Sequence, residues 1–115
     1  MAHHKINYIE IPTRDLVQTK AFFKQVFDWQ FIDYGPEYSS FSQQVIDGGF
    51  FQSELSVDSA IGSPLIVLYS ANLEQTLADV VNAGGSIIKP IFSFPGGRRF
   101  HFTEPAGNEY AVWSE

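Results

Sequence analysis

The sequence predicts an α+β fold built from two tandem βαβββ modules. Three observations carry this: an internal repeat at a spacing of 57 residues, a helix-start signal in each copy, and three short β-like runs after each helix. "DLVQTKAF" begins at Asp15 and "NLEQTLAD" at Asn72, which sets Leu16 on Leu73, Gln18 on Gln75, Thr19 on Thr76 and Ala21 on Ala78. Similarity at one fixed spacing is the mark of a supersecondary unit used twice. The alternative is an unrelated α+β domain whose two helices look alike, and the surroundings of each copy argue against it.

Each module opens on an apolar, β-rich run, "INYIEI" in the first and "PLIVLY" in the second, with Ile9 falling on Ile66 and Ile11 on Leu68. Each run ends at a capping residue, Asp15 or Asn72, whose side-chain oxygen can take an orphan N–H of the first helical turn. The glutamine three residues on can reach back as in a capping box. Apolar residues then recur at helical spacing: Leu16, Phe23, Val26 and Phe27, then Leu73, Leu77, Val80 and Val81. Gly84-Gly85 closes the second helix with a residue that tolerates a left-handed C-terminus. Asp28-Trp29 follows the first.

The strands after the first helix are read at "WQFIDY", "YSSFSQQ" and "GGFFQ", and after the second at "SIIKPIF", "RRFHFT" and "EYAVW". Gly35-Pro36, Asp47-Gly48-Gly49, Pro95-Gly96-Gly97 and Pro105-Ala106-Gly107-Asn108 punctuate them as turns. Module one thus covers about 4–53, a polar connector 54–63 and module two 64–115, all in one domain at a length of 115 residues.

Composition narrows the partners. Eleven phenylalanines leave rings enough to fill a core and line a cavity. Thirteen acids against seven bases give a net charge of −6, which opposes a nucleic-acid partner, since that needs a basic face. Without cysteine there is no disulfide, thiol nucleophile or thiolate metal site. The start "MAHHKINYIE" is polar and unlike a secretory signal, and "PLIVLY" is far short of the ~20 residues that span a bilayer. The expectation is a cytoplasmic protein with no membrane partner. His3 and His4, adjacent near the chain start, read as solvated.

Two tandem βαβββ units resemble the vicinal oxygen chelate superfamily of glyoxalase I, bleomycin-binding proteins and extradiol dioxygenases. The most specific stretch is "GGRRFHFTEPAGNEYAVW", similar to the glycine–strand–"DPxGN"–strand signature that closes the second module, with Glu104 where the aspartate usually stands. "IEIPTRDLVQTKAFFKQVFDW" resembles the first module's strand, cap and aromatic-bearing helix. Among subgroups, the chain is similar to short, single-domain glyoxalase-related proteins. The resemblance implies a cupped, eight-stranded mixed sheet, a half-barrel with helices outside, and commonly a homodimer.

It also implies four metal-ligand positions on inward sites of the first and last strand of each module. They fall on Tyr8, Leu65, Ala111 and a position near Phe51. None is a His or Glu ligand, and a divalent ion held by oxygen and nitrogen donors is not held by leucine, alanine and phenylalanine. The expectation is therefore no metal and no cofactor.

With those positions inward, strand alternation sorts the rest. Ile6, Tyr8 and Glu10 face the cleft while Ile9 and Ile11 meet the helix; Val67 and Tyr69 face it from the fifth strand, and Glu109 and Trp113 from the last. Arg99, His101 and Thr103 share the cleft parity, Phe100 and Phe102 pack under a helix, and Arg98 sits exposed at the strand end. A turn over 104–108 places Thr103 opposite Glu109, His101 opposite Ala111 and Arg99 opposite Trp113. Candidate ligand-binding residues are Tyr8, Glu10, Phe51, Tyr69, Arg99, His101 and Trp113, and candidate acid–base residues are Glu10 and His101.

Each has a structural alternative. Arg99 over Trp113 can be a cation–π pair that only stabilises the sheet, a lone histidine can be structural, and the rings can be core. Glu10 needs Arg99, His101 or a ligand cation if it is buried. The leading expectation is metal-independent binding of a small organic molecule in the cleft. The alternatives are a lyase or isomerase using Glu10 or His101, or a relocated metal, and a non-catalytic partner in a dimer or larger complex.

Overall fold

The computed structural model describes residues 3–115. Both copies of the unit form. The first comprises β1 (Tyr8–Thr13), α1 (Leu16–Phe27), β2 (Phe31–Asp33), β3 (Tyr38–Phe41) and β4 (Asp47–Gln52). The second comprises β5 (Ile66–Tyr69), α2 (Leu73–Asn82), β6 (Ser86–Phe94), β7 (Gly97–Thr103) and β8 (Glu109–Ser114). A single 3-10 turn, Ser59–Ile61, interrupts the connector, where the sequence reading has only a polar loop.

The two sheets share one topology. Their orders are β1-β4-β3-β2 and β5-β8-β7-β6, with the first and last strand of each module running parallel. No ladder joins β1 to β5 among the described residues, so the eight strands form two open four-stranded sheets.

Helix starts match in kind and differ in detail. Asp15 and Asn72 cap as expected, accepting the N–H of Gln18 and Gln75 at 3.0 and 3.2 Å. The glutamines do not reach back to the cap backbone. Gln18 instead donates to the Asp15 carboxylate and Gln75 donates forward to Asp79, because a free carboxylate outcompetes a backbone group as partner. Asp28 ends α1 in the left-handed region at φ 58°, a conformation that aspartate tolerates better than most residues.

The helix-side faces of both sheets meet across α1. Phe23 packs on Phe50 of β4 and on Tyr110 of β8, with ring centroids 5.5 and 5.1 Å away. Phe22 lies off the Leu16–Phe23 stripe yet is buried, because Phe102 of the second sheet covers it at 5.7 Å. Val81 lies about 80° around α2 from the Leu73–Val80 stripe and is exposed, against expectation. With Phe50, Phe100, Phe102, Tyr110 and Val112 in this core, the opposite parity of each sheet faces away from it.

Candidate functional site

The hairpin β7–β8 carries much of the second sheet's face turned away from the helix-side core. Its register is the one expected from a turn over 104–108: Thr103 opposite Glu109, His101 opposite Ala111, Arg99 opposite Trp113. The turn is locked from inside. Glu104 accepts the N–H groups of Ala106 and Asn108, and Gly107 supplies the positive φ of 99° that the turn requires. Parallel pairing of β5 with β8 then completes two cross-strand rows: Tyr69, Trp113 and Arg99 in one, Val67, Ala111 and His101 in the next.

Arg99 does not stack on Trp113. Its guanidinium carbon lies 5.3 Å from the ring centre of Phe92 and 5.6 Å from that of Phe94, both on the neighbouring strand β6. Trp113 packs edge-on against Tyr69 at 5.2 Å instead. Arg99, Val67, Phe94 and Trp113 line a cavity of about 380 Å³ at the open end of the hairpin. Among the described residues no carboxylate pairs with Arg99, and its Nε is buried without a hydrogen-bond partner. Arg98, read as an exposed strand end, points to the helix side and grips Glu74 of α2 through two bonds of 2.5 and 3.1 Å.

His101 is 2% exposed, and its partner is Glu109 rather than Glu10. Nδ1 stands 3.0 Å from Glu109 Oε2, a diagonal contact between adjacent strands. The same carboxylate accepts the Ser59 N–H at 2.7 Å on Oε1 and the Ser59 hydroxyl at 2.9 Å on Oε2. Burial pushes Glu109 up, but the His101 ring and the two Ser59 donors outweigh it and hold the carboxyl below its usual range. Phe92 covers the imidazole, its centroid 5.8 Å away.

Tyr8, Glu10 and Phe51 stand on the first sheet. The Tyr8 hydroxyl is bonded to that of Tyr38, whose phenol burial pushes up, with help from that bond. Tyr38 in turn lies over Gly49, where a Cβ would meet the hydroxyl at 2.2 Å. Glu10 is exposed, so the buried-charge cost does not arise, and no hydrogen bond or ion pair joins it to Arg99 or His101. Phe51 is half-buried beside them, paired with Tyr38 across the ladder. The candidate residues thus divide between two faces, Tyr8, Glu10 and Phe51 on one and Tyr69, Arg99, His101 and Trp113 on the other. His3 and His4 are exposed and stack on each other.

Sequence reading missed Ser59, Phe92 and Phe94 and gave Glu109 no role. The diagonal from Glu109 to His101 follows from the register and was legible. Nothing in "SELSVDSAIGS" signals that Ser59 reaches β8, because that contact depends on how the connector folds back.

The family model described as Glyoxalase/Bleomycin resistance protein/Dioxygenase superfamily matches residues 5–112. The chain belongs to this superfamily. Among curated proteins, none matches it. Solved structures of low identity share the fold. A glyoxalase/bleomycin resistance protein/dioxygenase family enzyme from Burkholderia phytofirmans is 18% identical with a TM-score of 0.79, over 96% of this chain and 98% of that one. A lactoylglutathione lyase from Agrobacterium tumefaciens is 16% identical, with a TM-score of 0.71 over 99% and 96%. A fosfomycin resistance protein from Listeria monocytogenes is 13% identical, with a TM-score of 0.79 over 99% and 95%.

The superfamily resemblance implies a divalent ion, and the residues at its ligand positions do not fit one. Tyr8 gives a phenol already committed to Tyr38, while Leu65, Ala111 and Phe51 offer no donor. No group of three or more His, Cys, Asp or Glu able to hold an ion occurs among the described residues.

Proposed function

We propose that this superfamily member binds a small organic acid with an aromatic or apolar body on the face of its second sheet turned away from the core, without a metal ion. One observation carries the reading: Arg99, braced by Phe92 and Phe94, presents a cation with no acidic partner among the described residues into a cavity walled by Val67, Phe94 and Trp113. A buried or half-buried guanidinium is stable only where an anion or π-faces answer it, and its planar fork suits a carboxylate. Apolar walls with a few convergent polar groups are the usual make-up of a small-molecule site. Tyr8, Glu10 and Phe51, on the other sheet, take no part in this cavity.

The test is native mass spectrometry of gently purified protein, followed by NMR titration of chelator-treated protein with benzoate, phenylacetate and indole-3-acetate. The reading expects shifts centred on the Arg99 Nε–H and the Trp113 indole. Shifts confined to the first sheet, or none with any of the three acids, contradict it.

The contact of His101 with Glu109 favours a second reading, a proton-transfer enzyme of lyase or isomerase type. Solvent deuterium entering a bound acid at a rate that falls in His101→Asn would support it; an unchanged rate would remove it.

A further inference from the structure

Two nitrogens on one face of β7, Arg99 Nε and His101 Nε2, are buried with no hydrogen-bond partner among the described residues. Buried polar atoms are nearly always paired, so two orphans on alternate residues of one strand call for a water or a ligand group at each. The Nε2 side of His101 is set by what holds its Nδ1. Glu109, accepting from Ser59 through both oxygens, acts as an acceptor toward the ring as well. Nδ1 therefore carries the hydrogen, and in its neutral form the ring presents a lone pair at Nε2.

Resting on the reading that Arg99 takes a ligand's acid group, we propose that His101 Nε2 accepts a hydrogen bond from a hydroxyl of the same ligand, with Glu109 and Ser59 as the positioning residues that fix its tautomer. The ligand class follows from spacing. Same-face residues two apart on a strand stand roughly 6.6 Å from each other, so the hydroxyl lies about 6–7 Å from the acid group. Hydroxyaryl acids have that reach. Val67, which lines the Arg99 cavity, shares a row with Ala111 and His101; both of these are buried and lie outside the cavity lining, so the hydroxyl reaches Nε2 only if Phe92, beside the ring, gives way. Phe92, over the ring, belongs to the part of β6 where the ladder register slips between Lys89 and Phe92.

The experiment titrates chelator-treated protein with 4-hydroxyphenylacetate, phenylacetate and 4-methoxyphenylacetate, reading affinity by calorimetry and the His101 ring nitrogens by NMR. In the wild type the hydroxy acid should bind about tenfold more tightly than the other two, the effect of one buried hydrogen bond. That margin should vanish in His101→Asn.

Glu109→Gln gives the sharper readout. The Ser59 N–H keeps the amide oxygen at the Oε1 position, leaving the NH₂ to donate to Nδ1, so Nε2 acquires the hydrogen and becomes a donor. Preference should then move toward the methoxy acid, which a merely structural Glu109 would not cause. If none of the three acids binds, the Arg99 reading fails and this one with it. If phenylacetate binds and the hydroxyl adds nothing, or Glu109→Gln keeps the wild-type preference, this inference alone is overturned.

Discussion

Thr19 Oγ1 donates to Glu104 Oε2 at 3.0 Å, tying the first helix to the turn that closes the second module. Since that bond uses the only hydroxyl hydrogen of Thr19, Thr13 supplies the donor for the 2.7 Å contact between the two threonines, and the Asp15 N–H in turn donates to Thr13. The same pair recurs in the second module, where Ser70 and Thr76 hydroxyls meet at 2.7 Å and the Asn72 N–H donates to Ser70. There, among the described residues, no acid extends the run of hydrogen bonds. Glutamate, one methylene longer than the aspartate that the superfamily resemblance leads one to expect, makes this tie to α1.

Shortening Glu104 should therefore loosen the tie without breaking the turn. Glu104→Asp is expected to lower unfolding free energy by about 1 kcal/mol, the net worth of one hydrogen bond. Thr19→Val should cost a similar amount, and the double variant less than the sum. Urea denaturation of all three checks it.

Glu104 and Glu109 should respond to acid in opposite senses. Burial raises the Glu104 pKa in the fold, so its stabilising contribution is complete below the ordinary carboxylate pKa and is lost as pH rises through the folded value. Glu109 is held low, so its contribution is present above the ordinary value and is lost as pH falls through the folded one. Relative to wild type, Glu104→Gln should gain stability as pH rises from 4 to 7, and Glu109→Gln should gain it as pH falls below about 4.5. Chemical denaturation across that range tests both signs.

Asn108 stitches three segments together. Its Nδ2 donates to the Pro12 carbonyl at 2.7 Å and its Oδ1 accepts the Val57 N–H at 2.7 Å, both from a fully buried side chain. Asn108→Asp would set a carboxylate oxygen against the Pro12 carbonyl, at a cost of about 2–3 kcal/mol or more. Thermal unfolding reads it, and a change within 0.5 kcal/mol would deny the role.

A homodimer is expected. The edge strands β1 and β5 leave Tyr8, Val67 and Tyr69 exposed, and an apolar cavity of about 420 Å³ lies between them, lined by Ile9, Ile11, Ile66 and Leu68. Unpaired edges and exposed rings of this kind are commonly covered by a partner. Sedimentation equilibrium should give twice the 12.9 kDa chain mass; a monomer at high concentration would contradict it.

The fold was legible because local signals agreed. The repeat, the caps at Asp15 and Asn72 and the alternation in "RRFHFT" all recur in the structure at their expected positions. The candidate site was legible by strand face and not by partner. Alternation put Arg99 and His101 on one face, but the choice of Phe92 and Phe94 over Trp113 depends on how β6 bends after its register slips. The pairing of Glu10 with His101 could not be judged from parity, because parity sorts each sheet separately and the two residues belong to different sheets.

The central claim is that Arg99 receives an organic acid without a metal. Calorimetric titration of chelator-treated protein with benzoate, phenylacetate and indole-3-acetate tests it most directly. At least one acid should bind at a single saturable site. Arg99→Ala should weaken it about 10- to 100-fold, as for the loss of a charge-assisted hydrogen bond, while Arg98→Ala leaves it unchanged. Equal affinity in wild type and Arg99→Ala, or binding that appears only when a divalent ion is restored, would contradict the account.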